Sequence, residues 1–160
     1  MTPAEKTRTY YDELWNKRDF GVIADWIAPG FVGHYSALPE PVHGPDGFRR
    51  LAEDLFAAFP DLTMDVKETV EQDGRVASRV EMRGTHRGEL QGFAPTGLPV
   101  TGTFIAIEHY VDGLVVEEWA NADDLAMSRQ IRAIPEPGSR AERVGQALYR
   151  LRAGRLRRTS

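Results

Sequence analysis

The sequence predicts an α+β domain, with three N-terminal helices packed on one face of a strongly curved, mainly antiparallel sheet. Three observations predict it. Apolar residues recur at helical spacing as far as Phe59, and the period then drops to two after Asp61. Asp-Gly pairs at 73–74 and 112–113 join the later runs as hairpin turns. Helices followed by a meander of strands give this class its element order.

Thr2-Pro3-Ala4-Glu5 starts the first helix, with threonine as N-cap, proline at the first helical position and glutamate three residues after the cap. Tyr10, Tyr11, Leu14 and Trp15 fall on one stripe, which carries the helix to about Lys17. Asp19 caps a short second helix bearing Phe20, Ile23, Trp26 and Ile27, and Pro29-Gly30 stops it. Phe31–Tyr35 is a short extended piece. Phe48, Leu51, Leu55, Phe56 and Phe59 define a third helix, ended by Pro60, because the residue before a proline is pushed out of helical conformation. Leu62, Met64 and Val66 alternate with polar neighbours as a half-buried strand. Strands follow at Arg75 to about Thr85, at about Val100 to Val111, and in LVVEEWANAD.

The composition is that of an ordinary globular protein, 41% hydrophobic and 28% charged, and 160 residues suffice for one domain with a real core. With no cysteine, disulfides, thiolate metal sites and a cysteine nucleophile are excluded. No apolar run approaches a membrane span and the charged N-terminus does not read as a signal peptide, so a cytoplasmic location is expected. Residues 139–160 hold seven arginines and one glutamate, about +6, which leaves about −10 on residues 1–138 of a chain whose net charge is −4. An acidic body argues against nucleic acid as a partner. The organisation read here is a domain over 1–138 and a basic, partly helical tail over 139–160, where Val144, Leu148 and Leu151 give one weak docking stripe.

The segment GTHRGELQGFAPTG (84–97) is the most unusual stretch, with four glycines between two strands. It fits neither G-x-G-x-x-G before a helix nor the P-loop, since Leu98-Pro99 follow Gly97. What remains is a long, ordered connection at one end of the sheet, with Phe93 apolar enough to fold back as a lid.

FPDL (59–62), VASR (76–79), GTHRGELQGFAPTG and EEWANAD (117–123), together with YYDELWNKRDF and FVGHY, resemble the SnoaL-like polyketide cyclases over about residues 5–131. The resemblance implies a cone-shaped α+β barrel of the nuclear-transport-factor-like type, with a deep pocket at its open end and the glycine-rich loop at the mouth. It implies intramolecular aldol condensation of a polyketide-like, apolar, carbonyl-bearing ligand without metal or organic cofactor, and a homodimer. Of the family's site residues, the acid/base aspartate four residues after the tryptophan is Asp123. Its associated histidine on the preceding strand is His109.

Trp119, Asn121 and Asp123 share one face if the last strand runs to its end, and an aspartate beside an indole loses hydration, which raises its pKa. The competing reading makes Asp123 the cap of LAMSRQI. His109 shares a face with Ile105 and Ile107; it is either a satisfied core histidine or the orienter of Asp123. His34 is a candidate to bind a substrate oxygen, or a surface residue. His86 suits a hydrogen bond within the loop, and His43 the surface. The four histidines form no metal-binding pattern, and no serine elbow is present. Trp119, Arg79 and Phe93 complete the binding candidates. Arg79-Val80-Glu81 also resembles part of the limonene-type epoxide hydrolase site, but Asn121 stands where that family has its further acid. The alternative for Arg79 and Glu81 is a charge ladder on the outer face. A non-catalytic small-molecule binder is the remaining class.

Overall fold

The Thr2 hydroxyl accepts from the Glu5 amide at 3.2 Å while the Glu5 carboxylate accepts from the Thr2 amide at 2.8 Å, so both ends of a capping box start the chain's first helix. In the computed structural model, which describes residues 1–156, this helix α1 spans Pro3–Tyr11 and continues as a π-turn over Asp12–Asn16. Asp19 caps a 3-10 turn, Phe20–Val22, that leads into α2 (Ile23–Trp26). Strand β1 covers Ile27–Tyr35 and a two-residue strand β2 covers Val42–His43; helix α3 spans Gly44–Ala58. Strands β3 (Thr63–Gln72), β4 (Arg75–Thr85), β5 (Pro99–Val111) and β6 (Leu114–Ala122) precede helices α4 (Asp124–Gln130) and α5 (Arg140–Leu156).

The α+β class holds, with one addition. The six strands form a curved, unclosed sheet in the order β2-β1-β6-β5-β4-β3. Strand β1 lies parallel to β6, so the extended piece after the second helix is part of the sheet and not a connector. Pro29-Gly30 does not end a helix; it lies inside β1, where the pairing with β6 is interrupted between Ile27 and Val32. Proline lacks the donor a regular ladder requires, so it sits where the ladder is broken.

The helices cover the inner face. Trp26 is the hub, edge-on to Tyr11 and Phe48 at centroid distances of 5.5 Å each, and its indole N–H donates to the Tyr110 hydroxyl at 3.0 Å. On β5 the even-numbered Val100, Ala106, Glu108 and Tyr110 are buried, while Ile105 and Ile107 on the other face are 46% and 44% exposed. Ala77, Ile107, Trp119 and His34 form one row across the outer face of β4, β5, β6 and β1.

A single inserted residue decides what the last strand points inward. Tyr110 pairs with Val115 and His109 pairs with Glu117, which leaves Val116 as an extra residue on β6. This β-bulge reverses the side-chain alternation beyond it. Val115 is buried, and so is Glu118, three residues on, while Trp119 is 50% exposed.

No described helix is long and apolar enough to cross a membrane. On α5, Val144, Leu148 and Leu151 are exposed. Residues 157–160 of the predicted basic tail lie outside the described residues.

Candidate active site

Between the helices and the inner face of the sheet lies a cavity of about 320 Å³. Its wall is mainly aromatic and aliphatic, from Trp15 and Phe48 to Phe104 and Ile131, and no Lys, Arg or His side chain among the described residues lines it. Two carboxyl groups do, those of Glu118 and Asp124.

Glu118 is 4% exposed, and its Oε2 accepts from the Tyr35 hydroxyl at 2.7 Å. Burial raises its pKa above the ordinary carboxylate range, against the hydrogen bond from Tyr35, which lowers it. Directly opposite on β5 is Glu108, fully buried. Its Oε2 accepts from the Thr7 hydroxyl, which also contacts the Tyr110 hydroxyl at 2.9 Å. Burial first, and the facing Glu118 charge second, push the Glu108 pKa up. The same burial raises the phenol pKa of Tyr35 and of Tyr11 on the cavity wall.

The glycine-rich loop reaches this cavity, as the family resemblance implies. Gln91 and Gly92 take positive φ values of 49° and 84°, closing a two-residue turn in which Leu90 and Phe93 exchange backbone hydrogen bonds of 3.1 and 2.9 Å. Leu90, Gln91 and Phe93 all line the cavity. The amides of Arg87 and Gly88 each donate at 3.0 Å to the Ala58 carbonyl at the end of α3, pinning the loop to the helix. Gly88 is required there: a Cβ would lie 2.0 Å from the Ala57 carbonyl oxygen. Gly88→Ala is therefore expected to lift the loop and cost about 2–4 kcal/mol in urea unfolding. Unchanged stability would contradict the anchoring. The Gln91 amide group donates to the Ala37 carbonyl at 3.0 Å, tying this loop to the β1–β2 connection. Beside it, Ser36 donates at 2.8 Å to Asp124.

The other sequence candidates fall elsewhere, and each placement has a reason. Asp123 does not line the cavity: its Oδ1 accepts from the Ala126 amide at 3.0 Å and caps α4, the competing reading of that residue. Trp119 is on the outer face because the bulge at Val116 reverses the strand's phase, so the shared face of Trp119 and Asn121 looks away from the cavity. His34 stacks on Trp119 there at 3.8 Å, with its Nε2 3.3 Å from a Glu117 oxygen. His109 does share a face with Ile105 and Ile107, but that face is also the outer one. Arg79 is exposed beside Glu68 at 3.4 Å, and Glu81 pairs with Arg83, so both belong to a surface charge ladder. That placement takes from the epoxide-hydrolase alternative its arginine and first carboxylate. His86 is fully buried within the loop, its Nδ1 3.1 Å from the Thr96 hydroxyl, and His43 is exposed. Among the described residues no cluster of three His, Asp or Glu side chains is placed to hold a metal.

Sequence reasoning passed over Glu108 and Glu118. A signal existed for the first: Glu108 is in phase with Phe104 and Ala106, a charge on an apolar face. For Glu118 strict alternation misleads.

Comparison with known proteins agrees with this architecture. The aklanonic acid methyl ester cyclase AcmA of Streptomyces galilaeus is 28% identical over 109 residues, 64% of this chain and 72% of AcmA. IdmH of Streptomyces antibioticus, assigned as a polyketide cyclase, superposes with a TM-score of 0.72 at 29% identity over 82% of this chain and 99% of its own. AclR of S. galilaeus, assigned as a hydroxylase, gives 0.70 at 30% identity, over 84% and 100%. A fold does not fix a reaction, so the reaction has to be argued from the site. The family model described as SnoaL-like polyketide cyclase matches residues 5–131, a span running from α1 through the whole sheet and cavity wall to α4, and on that match the chain belongs to the SnoaL-like polyketide cyclase family.

Proposed function

We propose that this protein closes a ring by intramolecular aldol addition within a neutral, largely apolar carbonyl compound of polyketide type. The observation that carries the reading is a buried carboxyl group, Glu118, on the wall of an otherwise greasy cavity. Its raised pKa suits a group that takes and returns a proton near neutral pH. The Glu118 carboxylate removes a proton from carbon α to a carbonyl, and the C–H electron pair passes into the enolate. The enolate carbon attacks a second carbonyl of the same molecule, forming the C–C bond and leaving an alkoxide. Glu118, now protonated, returns the proton to that oxygen. Atoms and electrons balance with no metal or organic cofactor. Tyr35, donating to Glu118, fixes the carboxyl in place.

The test is conversion of such substrates to a product of unchanged mass, followed by mass spectrometry and absorbance. Wild-type turnover lost in Glu118→Gln supports the reading; binding without turnover would make the protein a carrier. The wall also predicts a preference. With two acids and no cation among the described residues lining the cavity, a methyl ester should bind at least about tenfold tighter than its free acid, since a second anion would be desolvated beside Glu118. Equal affinity by calorimetry would count against this site.

The protein works as a homodimer through the outer face of the sheet, where Ile105, Ile107 and Trp119 form an apolar strip and the adjacent Arg79 and Glu68 offer charges of both signs for a twofold partner. Ile107→Glu is expected to yield monomers by sedimentation; a monomeric wild type would dismiss the interface. The tail from residue 139 is an appendage to the catalytic domain, so its removal leaves turnover intact.

A further inference from the structure

Glu108 has no part in the reaction as written, yet it faces Glu118 across the β5–β6 ladder on the inner side of the sheet. Directly opposed residues bring their side chains within contact range, and like charges there are destabilising. The titratable groups around the pair are Tyr11 from α1, Tyr35 from β1 and Tyr110 from β5, all phenols, with Thr7 as a further hydroxyl and, among the described residues, no cation beside either carboxyl. Two adjacent anions in such a setting have nothing to offset them, so the pair retains a proton.

The hydrogen bonds decide which member keeps it. Were Glu108 ionised, the one Thr7 proton would go to its Oε2, and Tyr110 would supply its own to Thr7 while accepting from Trp26. That chain ends at Oε2. Glu108 Oε1 is buried with no hydrogen-bond partner among the described residues. An ionised Glu108 would leave a charged oxygen bare inside the protein, a costlier arrangement than a neutral carboxylic acid. Glu118 by contrast accepts from Tyr35 and borders the cavity, where solvent or substrate can reach it.

We propose that Glu108 is a positioning residue for Glu118: it holds the one proton the facing carboxyl pair shares, so that Glu118 carries the single negative charge at the cavity wall. This deepens the assignment of Glu118 as the proton-transferring group and rests on it for its catalytic meaning. Ionisation of Glu108 would place a second anion behind the enolate and slow its formation.

Infrared spectroscopy of the ligand-free full chain, titrated from about pH 5 to pH 9, reads the protonated carboxyl C=O bands directly. Two bands should disappear in sequence, the earlier missing in Glu118→Gln and the later missing in Glu108→Gln. The reverse assignment, or loss of both bands in one step, overturns the proposal. In turnover, Glu108→Gln should stay within about threefold of wild type at neutral pH and lose the alkaline decline of the wild-type profile. A folded but inactive Glu108→Gln, or an unchanged alkaline limb, also overturns it. Should Glu108→Gln fail to fold, Thr7→Val serves: losing the Oε2 donor should move the later band to higher pH and leave the earlier one in place, and an unmoved later band refutes the assignment. Full activity in Glu118→Gln would instead refute the catalytic reading while the infrared assignment stood.

Discussion

Turnover is expected to fall by a factor of about 10²–10⁴ in Glu118→Gln, the usual contribution of a positioned acid/base group. The substitution is close to isosteric. Its amide oxygen can still accept from the Tyr35 hydroxyl, so the cavity keeps its shape and ligand affinity should change little. What disappears is, among the described residues, the one buried carboxyl on the cavity wall: Asp124 lines the cavity too but lies exposed to intermediate degree and is already engaged by Ser36. Asp123→Asn provides the contrast. Asparagine caps a helix about as well as aspartate, so a residue whose carboxylate accepts from the Ala126 amide should tolerate the change with turnover within about twofold. Steady-state kinetics on the two variants therefore separate two candidate acids five residues apart. Full loss in Asp123→Asn with activity retained in Glu118→Gln would return the role to the family's aspartate.

How much of this was legible in the sequence depends on how local the determinants are. The capping box at Thr2, the hairpin turns at Asp73-Gly74 and Asp112-Gly113, and the breaker Pro60 act within a few residues, and the structure follows them closely. The glycine-rich loop was legible as an ordered connection at one end of the sheet, while its place at a cavity mouth followed only from the family resemblance. The entry of β1 beside β6 was not, since a parallel pairing between residues 27–35 and 115–120 has no local signature and Pro29-Gly30 reads as a stop. Which side chains of the last strand face the cavity turned on a single residue. Periodicity carried along β6 from buried Val115 places Glu117, Trp119, Asn121 and Asp123 inside; the bulge at Val116 puts Glu118 and Ala120 there instead. A shift of one residue moves every later side chain to the opposite face. The buried carboxyl on the cavity wall is Glu118, while Asp123 caps α4.

The same burial that raises the Glu118 pKa should destabilise the fold as pH rises. Glu118 and Glu108 have pKa values raised from 4.5 to about 7 and about 8. Below the unfolded value near 4.5 both carboxyls are protonated in either state and the pair carries no penalty. Between there and about pH 8 the unfolded chain has released protons that the folded chain still holds, so stability declines, with a slope of up to about 1.4 kcal/mol per pH unit for each group. Asp61 acts in the opposite sense: Thr85 donates to it twice, its pKa is lowered, and its contribution is lost only as pH falls into the acid range. Thermal unfolding of the wild type should therefore show its midpoint falling from about pH 5 to pH 8. The double variant Glu108→Gln/Glu118→Gln, with nothing to ionise, should be flatter across that window and more stable than wild type at its alkaline end by several kcal/mol. Such a gain, accompanied by loss of turnover, is what an acid kept in an apolar cavity for catalysis requires. Parallel pH profiles for the two proteins would mean that these carboxyls are solvated in the native state, and with that the argument for Glu118 as a proton carrier would fail.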